Sequence, residues 1–286
     1  MSVKTLVKSM LPEWVQRSLI RGRERLLTWS LHASARELGL AELSKRLEEA
    51  HPDLKEQYSD FDIDTEYLKT KVRYQHAFQV SMALPELESN PDGVVVDIGD
   101  SSGTHIAYFR ALIPNSKHRF LSVNLDEKAV EKARSKGIEA ICSRAENLAD
   151  QGIDADIFLS FEMIEHLSDP ISFLHALATK TNCRRLVLTV PYVRESRVGL
   201  HHIRAGLRKD VSAEVVHLFE LCPEDLRLAF RHAGWKVERD QIYRQYPRFS
   251  PLRATAPIWR SWDFEGFYGA VLSRDDSWSK LYKSWG

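Results

Sequence analysis

Cysteine is scarce in this chain: three among 286 residues, Cys142, Cys183 and Cys222, far apart and with no C-x-x-C pair. That excludes a disulfide framework and a structural zinc site, and no other metal site is expected. Glycine and proline, 13 and 11, are too few for a collagenous or low-complexity chain. Long apolar runs are missing as well. Charged residues interrupt every hydrophobic stretch well before about 18 residues, so no membrane-spanning helix is expected. Nor does the chain open with an unbroken apolar segment and a small-residue cleavage site, so no secretory signal is expected. Net charge is also absent, with 40 Lys+Arg against 40 Asp+Glu, which argues against a dedicated nucleic-acid binder. What is present is 43% hydrophobic and 10% aromatic residues over a length that can bury a sizeable core. The expectation is a cytoplasmic globular protein.

The neutral average conceals a polarity. Residues 1–36 carry seven basic and two acidic side chains, whereas residues 37–70 carry ten acidic and four basic ones. Apolar residues at three- and four-residue steps (Val3, Leu6, Val7, Met10, Leu11; then Trp14, Val15, Leu19) predict helices, with Pro12 near the start of the second run. Leu38, Leu43 and Leu47 predict a further short helix ending near His51-Pro52. Thr65 to Leu84 predicts a long one stopped by Pro85. This assigns a helical region to about 1–90. Its basic start, with Trp14 and Trp29, suits three roles: lying on an anionic membrane surface, capping the rest of the protein, or pairing with a second copy in a homodimer.

From Pro91 the pattern becomes strands alternating with helices. Strands are predicted at Gly93–Ile98, Arg119–Val123, Ile138–Cys142, Ala155–Ser160, Arg185–Val190, Trp235–Arg239 and Gly266–Ser273. Helices fall at Thr104–Leu112, Glu127–Lys136, Pro170–Thr179 and Pro223–His232, the last closed by Gly234. Repeated β-α units imply an α/β fold with a doubly wound, seven-stranded, mostly parallel sheet. This assigns the main domain to 91–274 and a tail to 275–286. Such sheets bind ligands at the carboxyl ends of their strands. The first strand-to-helix turn, Asp97-Ile98-Gly99-Asp100-Ser101-Ser102-Gly103-Thr104, is therefore the place to look. Small residues there allow close backbone approach, and the next helix offers free N–H groups.

VVVDIGDSSGTHIAYF resembles the first motif of the class I S-adenosylmethionine-dependent methyltransferases, D-x-G-x-G-x-G. Later segments follow in order. DADIFLSFEMIEHLSDP, RRLVLTVP and VVHLFELCPEDLRLAFRHAGWKV resemble the fourth-strand, fifth-strand and late regions of the ubiquinone-biosynthesis-like group. The similarity covers about residues 91–274 and implies the Rossmann-like methyltransferase fold, with S-adenosylmethionine as cofactor. It implies that Asp97, Gly99, Asp100, Ser101 and Gly103 hold the methionine part of the cofactor. It further implies Asn124 at the ribose, Ala145 and Glu146 along the adenine, and Phe161 and Glu162 beside the sulfonium. Three positions depart from the pattern. Ser101 replaces the middle glycine, Asn124 the ribose-binding carboxylate, and Arg144 the usual acid of the adenine segment. A lost charge-assisted hydrogen bond costs about 1–2 kcal/mol, roughly tenfold in affinity.

Methyl transfer from a sulfonium needs alignment and exclusion of water, plus a base if the acceptor holds a proton. His166, with Glu165, is the candidate catalytic pair, although these two residues can equally cap a helix and brace loops. His217 is read as structural. Arg194, His201 and His202 lie after the fifth strand in a basic segment that could hold an anionic substrate. C-terminal aromatics such as Trp259, Trp262 and Phe264 could stack on sugar rings or pack the core. Two functional readings follow. One is a methyltransferase acting at oxygen on a small molecule or glycan, in polysaccharide biosynthesis, without nucleic acid. The other is a catalytically silent binding or scaffold protein on the same fold. A nicotinamide-dependent oxidoreductase is disfavoured, because G-x-G-x-x-G is missing and Asn124 stands where an acid is needed.

Overall fold

The computed structural model describes residues 12–54, 63–208, 210–211 and 216–282. Helix α1 spans Glu13–Glu37, α2 Leu40–Ala50 and α3 Glu66–Ser89. The helix expected over Val3–Leu11 lies outside the described residues. Then come β1 (Asp92–Ile98), α4 (Thr104–Leu112), β2 (Lys117–Asn124), α5 (Glu127–Ser135), β3 (Glu139–Cys142), β4 (Ile157–Phe161), α6 (Pro170–Lys180) and β5 (Arg185–Pro191). The C-terminal part adds a short hairpin, β6 (Arg197–Val198) with β7 (Phe219–Glu220), separated by the one-turn helix α7 (His201–Arg204). It closes with α8 (Pro223–Ala233), β8 (Trp235–Arg244), α9 (Ala256–Trp262) and β9 (Gly266–Arg274).

Seven strands form one sheet in the order β3-β2-β1-β4-β5-β9-β8. The first five are parallel, and β9 and β8 are added antiparallel. The strand order reverses between β1 and β4, which opens a crevice beyond their carboxyl ends. The short central strands are apolar on both sides because helices cover both faces. Val95 enters the core beneath α3 and α4, and its neighbour Val96 enters the core beneath α6 and α8.

Local chemistry sets the helix ends. Asp169 Oδ1 accepts the Ser172 N–H at 2.9 Å ahead of Pro170, and Asp126 Oδ1 accepts that of Lys128 at 3.0 Å. Gly234 closes α8 at φ 94°, in the left-handed region that favours glycine. Helix α3 departs from expectation, continuing through Pro85 to Ser89. A proline removes one i→i−4 bond, but the helix runs across β5 and β9 and buries residues on every side, among them Phe78, Val80, Met82 and Leu87. Gly269 of β9 makes that contact possible. A Cβ there would meet Phe78 Cζ at 2.9 Å and Met82 Cγ at 3.1 Å.

The N-terminal helices share this core. Leu27, Leu31 and Ala35 of α1 and Leu47 of α2 are fully buried in the same cluster as Phe78, Tyr243 and Trp259. Ser30 Oγ donates to the Gln245 carbonyl at 2.8 Å and accepts the Trp259 indole N–H at 3.2 Å. Buried Arg73 donates to the His51 and Pro52 carbonyls at 2.6 and 2.7 Å, and to the Tyr108 hydroxyl at 2.8 Å. It thereby joins the end of α2 to α4. Because Phe78 sits at this junction with no exposed surface, Phe78→Ala is expected to cost about 3–5 kcal/mol. Urea unfolding followed by both circular dichroism and tryptophan fluorescence should show one coincident, weakened transition, whereas two separate transitions would show that the helices unfold independently of the sheet.

Candidate active site

The turn after β1 is built by two left-handed glycines, Gly99 at φ 90° and Gly103 at φ 76°. A Cβ on Gly99 would come within 3.1 Å of Met163 Cγ, and one on Gly103 within 2.4 Å of Ile138 Cδ1, so a side chain at either position would add displacement of a neighbour to the strain of a positive φ. Asp97 ends β1 fully buried, and neither of its oxygens has a hydrogen-bond partner. Burial, reinforced by nearby Asp100, pushes its pKa well above the usual carboxylate range. Asp100 turns inward and receives the His105 and Ile106 N–H groups at 3.4 and 3.5 Å, at the start of α4. Ser101 occupies the middle motif position in the turn.

A buried polar chain runs from this turn to the next strand ends. His105 Nδ1 lies 3.3 Å from Asp100 Oδ1, and its Nε2 lies 2.9 Å from Gln79 Oε1. Gln79 Nε2 donates to Thr189 Oγ1 at 3.3 Å, and the Thr189 carbonyl accepts the Glu162 N–H at 2.9 Å. The His105 ring also packs on Phe161, 4.9 Å between centroids. Gln79, His105 and Thr189 were not singled out in the sequence. The available signals were a glutamine interrupting the apolar stripe of α3 and a histidine directly after the glycine turn.

Beyond β4, Glu162 adopts φ 51°, an uncommon conformation for a glutamate and a form of strain concentrated at functional sites. Its Oε1 is buried without a partner, and burial is the main cause that pushes its pKa up to about 8. Glu165, 3% exposed, has two unpartnered oxygens; burial, then Glu162 and Glu220, raises its pKa well above normal. His166 places Nδ1 3.1 Å from the Val216 carbonyl. His217 stands edge-on to His166 at 4.8 Å between centroids, and its Nδ1 lies 3.1 Å from Glu220 Oε1. Glu165, His166 and His217 thus bring one metal-binding atom each within 4.8 Å of one another, as do Asp97, Asp100 and His105. Phe264 stacks on His217 at 5.3 Å. Lys71 pairs with Asp263, and Trp262 lies between Tyr67 and the Arg23 guanidinium.

The other expected residues are placed as follows. Asn124 ends β2, largely buried, and its Oδ1 accepts the Asp126 N–H at 2.8 Å, which leaves its amide NH2 for a ligand. Ala145 and Glu146 form a short 3-10 turn, where Glu146 pairs with Arg144 at 3.1 Å. Arg194 is engaged by Glu265 at 2.7 and 3.1 Å, and Arg260 and Tyr246 share that carboxylate. His201 and His202 sit on α7, which begins where Leu200 N–H donates to the His217 carbonyl at 2.7 Å. Of the aromatic residues, Trp259, Phe267 and Tyr268 belong to the core, while Trp262 is 36% exposed.

Residues 96–181 match a family profile described as a methyltransferase domain. No sequence match was found among the curated proteins. Among solved structures, the chain is similar to a Burkholderia thailandensis 1,6-didemethyltoxoflavin-N1-methyltransferase, determined with 1,6-didemethyltoxoflavin and S-adenosylhomocysteine. The TM-score is 0.50 and the identity 15%, over 71% of this chain and 79% of that one. It is similar also to the [4+2]-cyclase SpnF, with TM-score 0.51 and 12% identity, over 82% and 93% of the two chains. At these identities the likenesses show the fold, and the cyclase among them shows that the fold alone does not name the reaction.

Glu162 keeps its proton in the folded state up to about pH 8, whereas the unfolded chain loses it near 4.5. Folding stability should therefore fall as pH rises from about 4.5 to about 8. Glu162→Gln is expected to flatten that dependence and raise the melting temperature at pH 8; thermal melts at half-unit steps in pH check it.

Proposed function

We propose that the chain, whose residues 96–181 match a methyltransferase-domain profile, is a class I S-adenosylmethionine-dependent methyltransferase that transfers a methyl group to an oxygen of a small-molecule or glycan acceptor. The observation carrying this reading is the set of buried carboxylate oxygens without hydrogen-bond partners at adjacent strand ends: both of Asp97 near the end of β1, and one of Glu162 and both of Glu165 after β4. Unpaired buried carboxylates are costly and persist where a ligand compensates them.

S-adenosylmethionine supplies an activated methyl group on a sulfonium, so the protein chiefly aligns the reactants and excludes water. Asp97 and Asp100 fit the methionine ammonium, for Asp97 has no donor of its own. Gly99, Ser101 and Gly103 keep the turn close to the ligand. Asn124 offers its amide to the ribose, while Ala145 and Glu146 flank the adenine. Phe161 and Glu162 line the reacting side. Glu165 and His166 stand at the acceptor hydroxyl and handle its proton. Arg194, His201 and His202 border the acceptor. Phe264, one face of which stacks on His217, is the aromatic side chain that supports a saccharide.

The proposed setting is cytoplasmic and at a membrane surface, in the assembly of a polysaccharide. No helix of the described residues is long and apolar enough to cross a membrane. Helix α1 instead presents exposed Trp14 and Trp29, 74% and 61%, on one side with Arg17, Arg21 and Arg25, opposite its buried Leu27 and Leu31. That stripe supports peripheral contact with anionic lipid through residues 1–36, and a second copy of the chain could use the same surface.

Calorimetry with S-adenosylhomocysteine tests the cofactor assignment in both directions. Asp97→Asn should weaken binding about 10- to 100-fold, and Asn124→Asp should tighten it about tenfold. No binding by the wild type at millimolar ligand would favour the silent scaffold. Incubation with labelled cofactor and a panel of hydroxylated saccharides then tests the acceptor, with His166→Ala expected to lower turnover at least about 100-fold. Trp14→Ser/Trp29→Ser should abolish flotation of the protein with phosphatidylglycerol vesicles, and a wild type that does not float would remove the membrane assignment.

A further inference from the structure

We propose that Glu165, His166 and His217 form a binding site for a borderline divalent cation, such as Zn2+, Fe2+ or Co2+, at the acceptor side of the methyl-transfer centre. The sequence pattern after β4 supplies only one carboxylate and one histidine of this set. The second histidine comes from 51 positions later, because the segment leading into β7 lies against the turn after β4. The Leu218 N–H donates to the Glu165 carbonyl at 2.7 Å and fastens the two segments together.

Three observations converge. One ligand atom from each residue lies within 4.8 Å of the others, so shifts of a few tenths of an ångström to about one ångström close the set around an ion with bonds near 2.1 Å. Both oxygens of Glu165 are buried with no hydrogen-bond partner, an arrangement that a cation would compensate. The rings are also held from behind. His166 Nδ1 faces the Val216 carbonyl at 3.1 Å and His217 Nδ1 faces the Glu220 carboxylate at 3.1 Å. Glu220 is in turn gripped by Arg197. A carbonyl or carboxylate at one ring nitrogen orients the other as a ligand, the backing that metal-bound histidines almost always have.

The donor set favours transition metals over Mg2+ or Ca2+, which prefer all-oxygen surroundings. Two histidines and one carboxylate leave coordination positions open for an acceptor oxygen. In the rival cluster, Asp97, Asp100 and His105, Asp100 caps α4 and both His105 nitrogens have partners, so only Asp97 is left with unpartnered oxygens, whereas at the proposed site two histidines and a carboxylate converge. A cation would make Glu165 and His166 ligands, so the acceptor's proton would be acidified by the ion rather than removed by a free imidazole. This deepens the preceding reading of the acceptor side, while the site itself is open to test without any methyl transfer.

The test is titration of the metal-stripped, full-length protein with Co2+, followed by its visible d–d absorption, and with Zn2+ by calorimetry. The expected result is one saturable site per chain. Glu165→Gln and His217→Ala should each weaken it at least about 100-fold. Glu220→Gln keeps all three ligands but removes the support behind His217, and should weaken it about 10- to 100-fold. His232→Ala, on α8 with its ring against Tyr282 and outside the site, should leave it unchanged. Circular dichroism and S-adenosylhomocysteine binding of each variant show that fold and cofactor site persist. If the wild type binds S-adenosylhomocysteine but gives no d–d band, or if His217→Ala titrates like the wild type, the metal site is overturned and the methyltransferase reading stands. The Glu165 carboxylate would then be served by ordered water, for which a cavity of about 20 Å³ beside Glu165 and Glu220 has room.

Discussion

The contact on which the rest of the molecule depends is the crossing of α3 over β5 and β9 at Gly269. One missing side chain lets Phe78 and Met82 lie directly on the sheet. The helix thereby becomes an interior element, with buried residues on every side. Through it the two terminal parts of the protein meet. Helices α1 and α2 pack against α3, and α1 is also tied to the segment between β8 and β9 through Ser30, Gln245 and Trp259. The same helix carries Arg73, which ties the end of α2 to α4, and Gln79, which reaches Thr189 of β5, so it also joins the polar groups of the site.

Those polar groups explain the electrostatics of the site. Asp97, Glu162 and Glu165 all sit where burial penalises the charged form, and each is raised above the ordinary carboxylate range. Nearby cations are committed elsewhere: Arg73 to the end of α2, Lys71 to Asp263, Arg194 and Arg260 to Glu265. The strand ends therefore hold protonated or uncompensated carboxylates rather than finished ion pairs. It is this arrangement that underlies the ammonium, sulfonium and metal ligands proposed for the site. Its cost to stability is tolerable because the surrounding sheet is covered on both faces.

Much of this was legible from residue patterns, and the reasons differ by element. The strand β1 and its turn were readable because three valines followed by an acid, a glycine and small residues leave little conformational choice. Pro170 and Pro223 marked helix starts, and Gly234 a helix end, because each acts through local backbone geometry. Pro85 misled for the complementary reason: its local penalty is real, but packing over both sides of α3 outweighs it. Strand β8 extends to Arg244 rather than stopping near Arg239, since its partner β9 continues to pair past a bulge at Val237–Arg239. The described tertiary contacts bring His217 against His166, a neighbour that lies 51 positions away in the sequence.

The sequence by itself determined the α/β alternation, the glycine turn after β1 and the chemical identity of the groups at the strand ends. These follow from short-range rules: side-chain periodicity, backbone restriction at glycine and proline, and capping. Only the tertiary structure decided which groups meet. His217 stands beside His166, Gln79 reaches His105 and Thr189, and the carboxylates of Asp97 and Glu165 remain without hydrogen-bond partners, because contacts between residues tens of positions apart depend on how helices and strands stack. Burial follows from the same stacking. It turns ordinary carboxylates into proton-holding groups, and no local pattern of residues encodes it.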